Sequence, residues 1–128
     1  MDKKAMYKLT YGLFVLTARE GEKDNGCIIN TAMQVTTTPN RMIVVVNKQN
    51  YTHDMILRTK KFNVSCLSEE ATFDVFQHFG FQSGKDTDKM PDGSYPRAEN
   101  GIMYLKEKAC ACLSVFGERG CLGRENIP

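Results

Sequence analysis

No stretch of this 128-residue chain approaches the roughly twenty consecutive apolar residues needed to cross a bilayer. The N-terminal MDKKAMYKLTYG places charge where an export signal needs its apolar core, so export is not expected. Neither sign of charge dominates. Seventeen basic against fifteen acidic side chains leave +2, and the only basic pairs are Lys3-Lys4 and Lys60-Lys61. That balance argues against nucleic acid or a membrane surface as partner. Histidine is scarce: His53 and His78 are the only two, and neither has a motif partner that would make a nucleophile–base pair. The cysteines (Cys27, Cys66, Cys110, Cys112, Cys121) are odd in number and include no C-x-x-C. A metal centre is therefore not expected, and reduced thiols in the cytoplasm are. Asp86, Asp88 and Asp92 lack the spacing of a calcium loop. No repeat or low-complexity tract appears. Chemistry in such a chain has to come largely from a cofactor.

What is present reads as one domain over residues 1–128, with 41% hydrophobic and 25% charged residues. Residues 8–19, with the apolar run Leu13 to Leu16, predict a strand covered on both faces. Asn25-Gly26 predicts a hairpin turn, with residues 27–37 as the returning strand. Pro39-Asn40 predicts a turn, and 41–47 a third strand. Thr52, Met55, Ile56 and Thr59 have helical spacing, with Thr52 as N-cap. Residues 61–67 return to strand. Ser68 opens a second helix whose Phe73, Phe76 and Phe79 form an apolar core stripe ending at Gly80. Residues 80–101 are a long loop, IMYL and ACLSVF recover strand character, and 116–128 form an irregular tail. About six strands and two short helices predict a mainly β fold, an antiparallel barrel with helices outside.

Two places offer chemistry. In CIINTAMQVTTT (27–38), period two puts Cys27, Ile29, Thr31, Met33 and Val35 on one face. Ile28, Asn30, Ala32, Gln34 and Thr36 fall on the other. Amides at Asn30 and Gln34 beside the small Ala32 suit the edge of a flat heterocycle; the same pattern also suits a half-exposed strand. In NKQNYTHD (47–54), Asn47, Lys48, Asn50, Tyr51 and Thr52 meet at a helix start, which suits an anion such as phosphate. A capped helix with a solvated lysine fits equally. Lys85, beside Gly84 in the long loop, offers a second cation.

From Lys8 to about Leu113 the chain resembles the flavin reductase-like proteins with an FMN-binding split barrel, closest to their flavoredoxin-like branch. The likeness is carried by residues 8–56 (KLTYGLFVLTAREGEKDNGCIINTAMQVTTTPNRMIVVVNKQNYTHDMI), by KFNVSCLSEEATFDVFQHFGFQSGKDTDK and by ENGIMYL. It implies that a flavin ring lies against Asn30, Thr31, Ala32, Met33, Gln34, Thr36 and Thr37, held mainly by backbone. It implies a phosphate around Asn47, Lys48, Asn50, Tyr51 and Thr52, closed over by Lys85, with no catalytic side chain. It further implies FMN as cofactor, NAD(P)H as electron donor, a homodimer, and a rubredoxin-like or other electron-transfer partner. A non-catalytic FMN carrier, or a shortened paralogue without flavin, is the alternative. After ACLSVF the family continues through further strands, so an antiparallel split β-barrel incomplete at its C-terminal end is expected here.

Overall fold

The computed structural model describes residues 4–5, 12–85 and 87–116. The beginning of the first expected strand (8–11), Asp86, and residues 117–128 of the expected tail with Cys121 lie outside these. Among the described residues six strands and two helices follow in the order β1 (Phe14–Glu20), β2 (Lys23–Ile29), β3 (Ala32–Thr37), β4 (Asn40–Val44), α1 (Tyr51–Thr59), β5 (Lys61–Leu67), α2 (Phe73–Gly80) and β6 (Ala109–Phe116). All pairing between strands is antiparallel, in a four-stranded sheet β2-β1-β5-β6 and a separate ribbon β3-β4. Among the described residues no helix is long and apolar enough to cross a membrane.

β1 is covered on both faces, as its continuous apolar run requires: Val15, Leu16, Thr17 and Ala18 are all buried. Leu16 packs inward with Cys27, Ile29, Phe62 and Val64, and this cluster is closed by Ala32, Met42 and Val44 of the ribbon and Ile56 of α1. Val15 packs outward against Val75 and Phe79 of α2 and against Met90, Met103 and Leu105.

Several expectations are corrected. The hairpin turns at Gly21-Glu22, with Glu20 opposite Lys23, because Gly21 supplies the positive φ (61°). Asn25 and Gly26 lie buried inside β2 instead. A Cβ on Gly26 would fall 3.2 Å from the Phe79 ring, so this glycine lets α2 approach the sheet. Residues 27–37 are two strands, not one. The chain bends at Asn30-Thr31, and the inside–outside phase shifts by one residue there. Cys27, Ile29 and Ala32 consequently share the core, while Met33 and Val35 face out at about half exposure.

The α2 stripe is also different. Val75 and Phe79 form the buried face, whereas Phe73 is 62% exposed and Phe76 is half-buried. The helix is capped at Thr72 rather than opened at Ser68. IMYL is not a strand. Residues 102–105 cross the sheet's outer face held by side chains: the Thr17 hydroxyl donates to Met103 O (2.6 Å) and Asn63 Nδ2 to Ile102 O (3.0 Å). Ser65 Oγ accepts from the Leu105 N–H (3.1 Å). The long loop and the IMYL segment after it thus form a second packing layer, the loop contributing Lys89 and Met90 and the segment Ile102, Met103 and Leu105 to the interior.

Two ion-pair systems fasten the ends of these layers. Buried Asp24 accepts from Arg97 at 2.9 and 3.1 Å and from Arg19 at 3.2 Å, while Arg97 also donates to Asp92 and to Gly101 O. On the surface, Arg58 near the end of α1 grips Glu20 with two bonds of 2.6 and 2.9 Å. That guanidinium hydrogen bond holds the Glu20 carboxyl below its usual pKa. The pair therefore contributes stability above the ordinary carboxylate range and loses it as pH falls through the lowered value. Acid titration should loosen the α1–β1 contact in the wild type, and Glu20→Gln should flatten that part of the curve of stability against pH.

Candidate functional site

α1 begins where the chain leaves the ribbon. Asn50 is its N-cap, in extended conformation and making no side-chain cap bond. Thr52 is not the cap, as its spacing suggested, but a fully buried residue. The Asn50 carbonyl takes the His53 N–H at 3.1 Å, and the N–H groups of Tyr51 and Thr52 belong to the first turn, which a helix cannot satisfy internally. This helix start lines a cavity of about 190 Å³ between α1, β2 and the segment after α2.

The inner wall is polar and deeply buried. Lys89, 3% exposed, donates from Nζ to Phe79 O (2.8 Å) and Gly26 O (3.0 Å). Among the described residues it has no carboxylate partner, and burial lowers its pKa. Asn25 donates from Nδ2 to Thr52 Oγ1 (3.0 Å), but its Oδ1 has no partner although fully enclosed. Reversing the amide satisfies both groups, since the Thr52 hydroxyl can donate to Oδ1 while Nδ2 turns toward a ligand acceptor. Gly84 closes over this amide so tightly that a Cβ would fall 2.4 Å from Asn25 Oδ1. The Cys27 thiol in the same wall is pushed up to about 11 by burial, so it stays protonated and unreactive. A buried ammonium without an acid, an uncapped helix start and an unspent amide together fit a small polyanion such as a phosphate.

Of the residues expected at an anion site, Asn50, Tyr51 and Thr52 line this cavity. Lys85 follows Gly84, is exposed, and is close enough to Asp54 to help lower its carboxyl, behind the larger effect of the His53 hydrogen bond. Asn47 and Lys48 stand exposed in the preceding turn, outside the lining, where Asn47 Oδ1 accepts the Gln49 N–H. Asn25 and Lys89 escaped sequence reading as site residues. Asn25-Gly26 looked like a turn, and a loop lysine ordinarily faces water. Gly84→Ala should displace the Asn25 amide, shrink the cavity and weaken a phosphate-bearing ligand at least about tenfold, as read by a binding titration.

The residues expected to seat a ring occupy the β2–β3 junction and the ribbon. Asn30 Oδ1 accepts from the Thr31 hydroxyl (3.1 Å), and Thr31 O accepts the Val45 N–H (3.2 Å). Ala32 points into the core rather than between two outward amides, because of the phase shift at residues 30–31. Gln34 donates across the ribbon to Asn40 (2.9 Å) and the Thr36 hydroxyl to Pro39 O (2.6 Å). Met33, Gln34, Thr36 and Thr37 are exposed. Among the described residues β3 pairs only with β4, and no other described strand pairs with its second backbone edge.

Residues 6–113 match the model of the flavin reductase like domain family. The chain is 40% identical over 113 residues to the high molecular weight rubredoxin of Moorella thermoacetica, covering 88% of this chain and 49% of that protein. It thus spans about half the length of that relative. To the ferric-chelate reductase (NAD(P)H) of Archaeoglobus fulgidus it is 30% identical over 121 residues, 94% of this chain and 72% of that one. Among solved structures, the NADH:FAD oxidoreductase of Streptomyces globisporus superposes with a TM-score of 0.75 at 21% identity, over 93% and 74% of the two chains. The FMN-binding protein of Thermus thermophilus gives 0.73 at 23% identity, over 88% and 63%.

Proposed function

We propose that this chain, which belongs to the flavin reductase-like family, is a single FMN-binding domain that moves electrons from NAD(P)H to flavin or to a protein acceptor. The observation that carries the reading is the cavity at the start of α1, where the buried Lys89 ammonium has no acid partner among the described residues and the reversed Asn25 amide offers its Nδ2 to an acceptor. The N–H groups of Tyr51 and Thr52 and the Lys89 ammonium hold the phosphate there. Lys85 adds charge at the mouth, and Asn47 and Lys48 contribute from outside it. The ring lies toward residues 30–37, held by the backbone edge of β3 away from β4 rather than by the Asn30 and Gln34 side chains. Bound FMN supplies hydride acceptance from the nicotinamide and onward electron transfer. The protein fixes the flavin's position and limits its exposure.

The outward face of the ribbon supports a homodimer. Met33, Val35, Ile43 and Val45 are each about half exposed, and a second copy would bury them. A rubredoxin-like protein is the acceptor suggested by the Moorella relative's name, and free thiols at Cys27, Cys66, Cys110 and Cys112 suit a reducing cytoplasm.

The decisive experiment compares FMN with riboflavin, which lacks the phosphate. Lys85→Glu should raise the FMN dissociation constant about tenfold and that of riboflavin less than about twofold. Equal losses would remove the phosphate from this end of the molecule. NAD(P)H consumption by the flavin-loaded protein then separates a reductase from a carrier, which would be yellow but inert toward nicotinamide.

A further inference from the structure

A second cavity, of about 650 Å³, lies on the other side of α2, between that helix and residues 94–96 and 105–108. Its volume falls within the range of small-molecule sites, whereas tight interiors leave few voids larger than water. The inner wall is apolar and aromatic: Val75, Leu105 and Phe79 are buried, and the Tyr95 ring is tilted against Phe79 at 6.0 Å.

Three polar groups around this wall are unspent. The half-buried Tyr95 hydroxyl bonds to none of the described residues, and burial raises its pKa. His78 Nε2 meets the Lys89 carbonyl, which can only accept, so that nitrogen carries the proton. Nδ1 is then an acceptor, and among the described residues it has no partner. On the rim, Lys108 is paired with Asp74, but exposed Lys106 has no acid partner among the described residues. Glu107 stands on the same rim and opposes any anion.

We propose that this cavity binds a small aromatic carboxylate bearing a ring hydroxyl. The ring stacks in the Phe79–Tyr95 wall, the carboxylate meets Lys106, and the hydroxyl donates to His78 or bonds to Tyr95. This assignment is independent of where flavin binds.

The probe is 4-hydroxybenzoate, titrated into the FMN-loaded protein and followed by the imidazole proton resonances. Only two histidines exist, so His53→Gln assigns the pair. His78 should shift with saturation at millimolar ligand while His53 stays still. Lys106→Glu should weaken binding about tenfold, Tyr95→Phe several-fold, and Glu107→Gln should tighten it. Both rim variants are surface changes that leave the fold intact. Benzyl alcohol, without the charge, should bind much more weakly. An unmoved His78 would overturn the proposal, as would affinity unchanged in both Lys106→Glu and Tyr95→Phe. A ligand-induced change in the flavin spectrum that persists in Lys106→Glu would place the aromatic acid on the flavin instead, and would equally overturn it.

Discussion

Asp24→Ala should destabilise the protein by about 3 kcal/mol, the largest loss expected from any single charged residue here. The carboxylate is only 4% exposed and takes hydrogen bonds from two guanidinium groups, each less than a third exposed. Deleting it leaves two partly buried cations facing each other with nothing between them. Removing one member of a buried pair costs more than the pair is worth, because the survivors keep their desolvation penalty. The damage should be regional. Arg97 also holds Gly101 O and Asp92, so residues 92–101 lose their tie to the β1–β2 hairpin. Denaturant melts should show a lower midpoint, and protease should cut first within that segment. Asp24→Asn, which keeps the shape but not the charge, should fall between wild type and alanine. A midpoint within experimental error of wild type for Asp24→Ala would show that water compensates both arginines.

Lys89→Met should reduce FMN affinity by about one to two orders of magnitude, the largest expected effect on ligand binding. Methionine fills the same volume and keeps the apolar stem packed, but it removes the cavity's only deeply buried cation among the described residues. The carbonyls of Gly26 and Phe79 lose their donor as well, so some loss of stability accompanies the change. Riboflavin separates the two consequences. A purely structural role would weaken both flavins alike, whereas a phosphate role weakens FMN far more. Arginine at this position should not restore the wild type. Its planar fork is too large for a site built around a point charge between two carbonyls.

The parts of the fold visible in the sequence are those decided by local pattern. Residues 61–67 form β5 as expected, and ACLSVF falls within β6. What stayed hidden was decided by distant neighbours. Asn25-Gly26 has the composition of a turn, yet Thr52, 27 residues away, claims the amide, and Phe79 needs the missing side chain of Gly26. The phase shift at Asn30-Thr31 has no signature in hydrophobic period alone, because Ala32 and Met33 could each face either way. The proposed anion site was half legible for the same reason. A helix start advertises itself at Asn50–Thr52, but Lys89 lies 37 positions later and becomes part of the cavity only when α2 docks. Its two carbonyl partners, Gly26 O in β2 and Phe79 O near the end of α2, are brought together only by that docking.

The strap at residues 102–105 has an unequal tolerance to sequence change built into it. Thr17, Asn63 and Ser65 grip main-chain atoms, and a main-chain atom is the same whatever side chain it carries. Tyr104, whose side chain takes no part in this grip, can be exchanged for almost any residue comfortable in an extended conformation. Ser65→Ala, by contrast, strands the buried Leu105 N–H, and no compensating choice within the strap can return the lost acceptor. Drift is therefore cheap at Tyr104 but costly at the buried Ile102, Met103 and Leu105 beside it and at the three sheet residues beneath, so tolerance alternates along the strap rather than following its place in a loop.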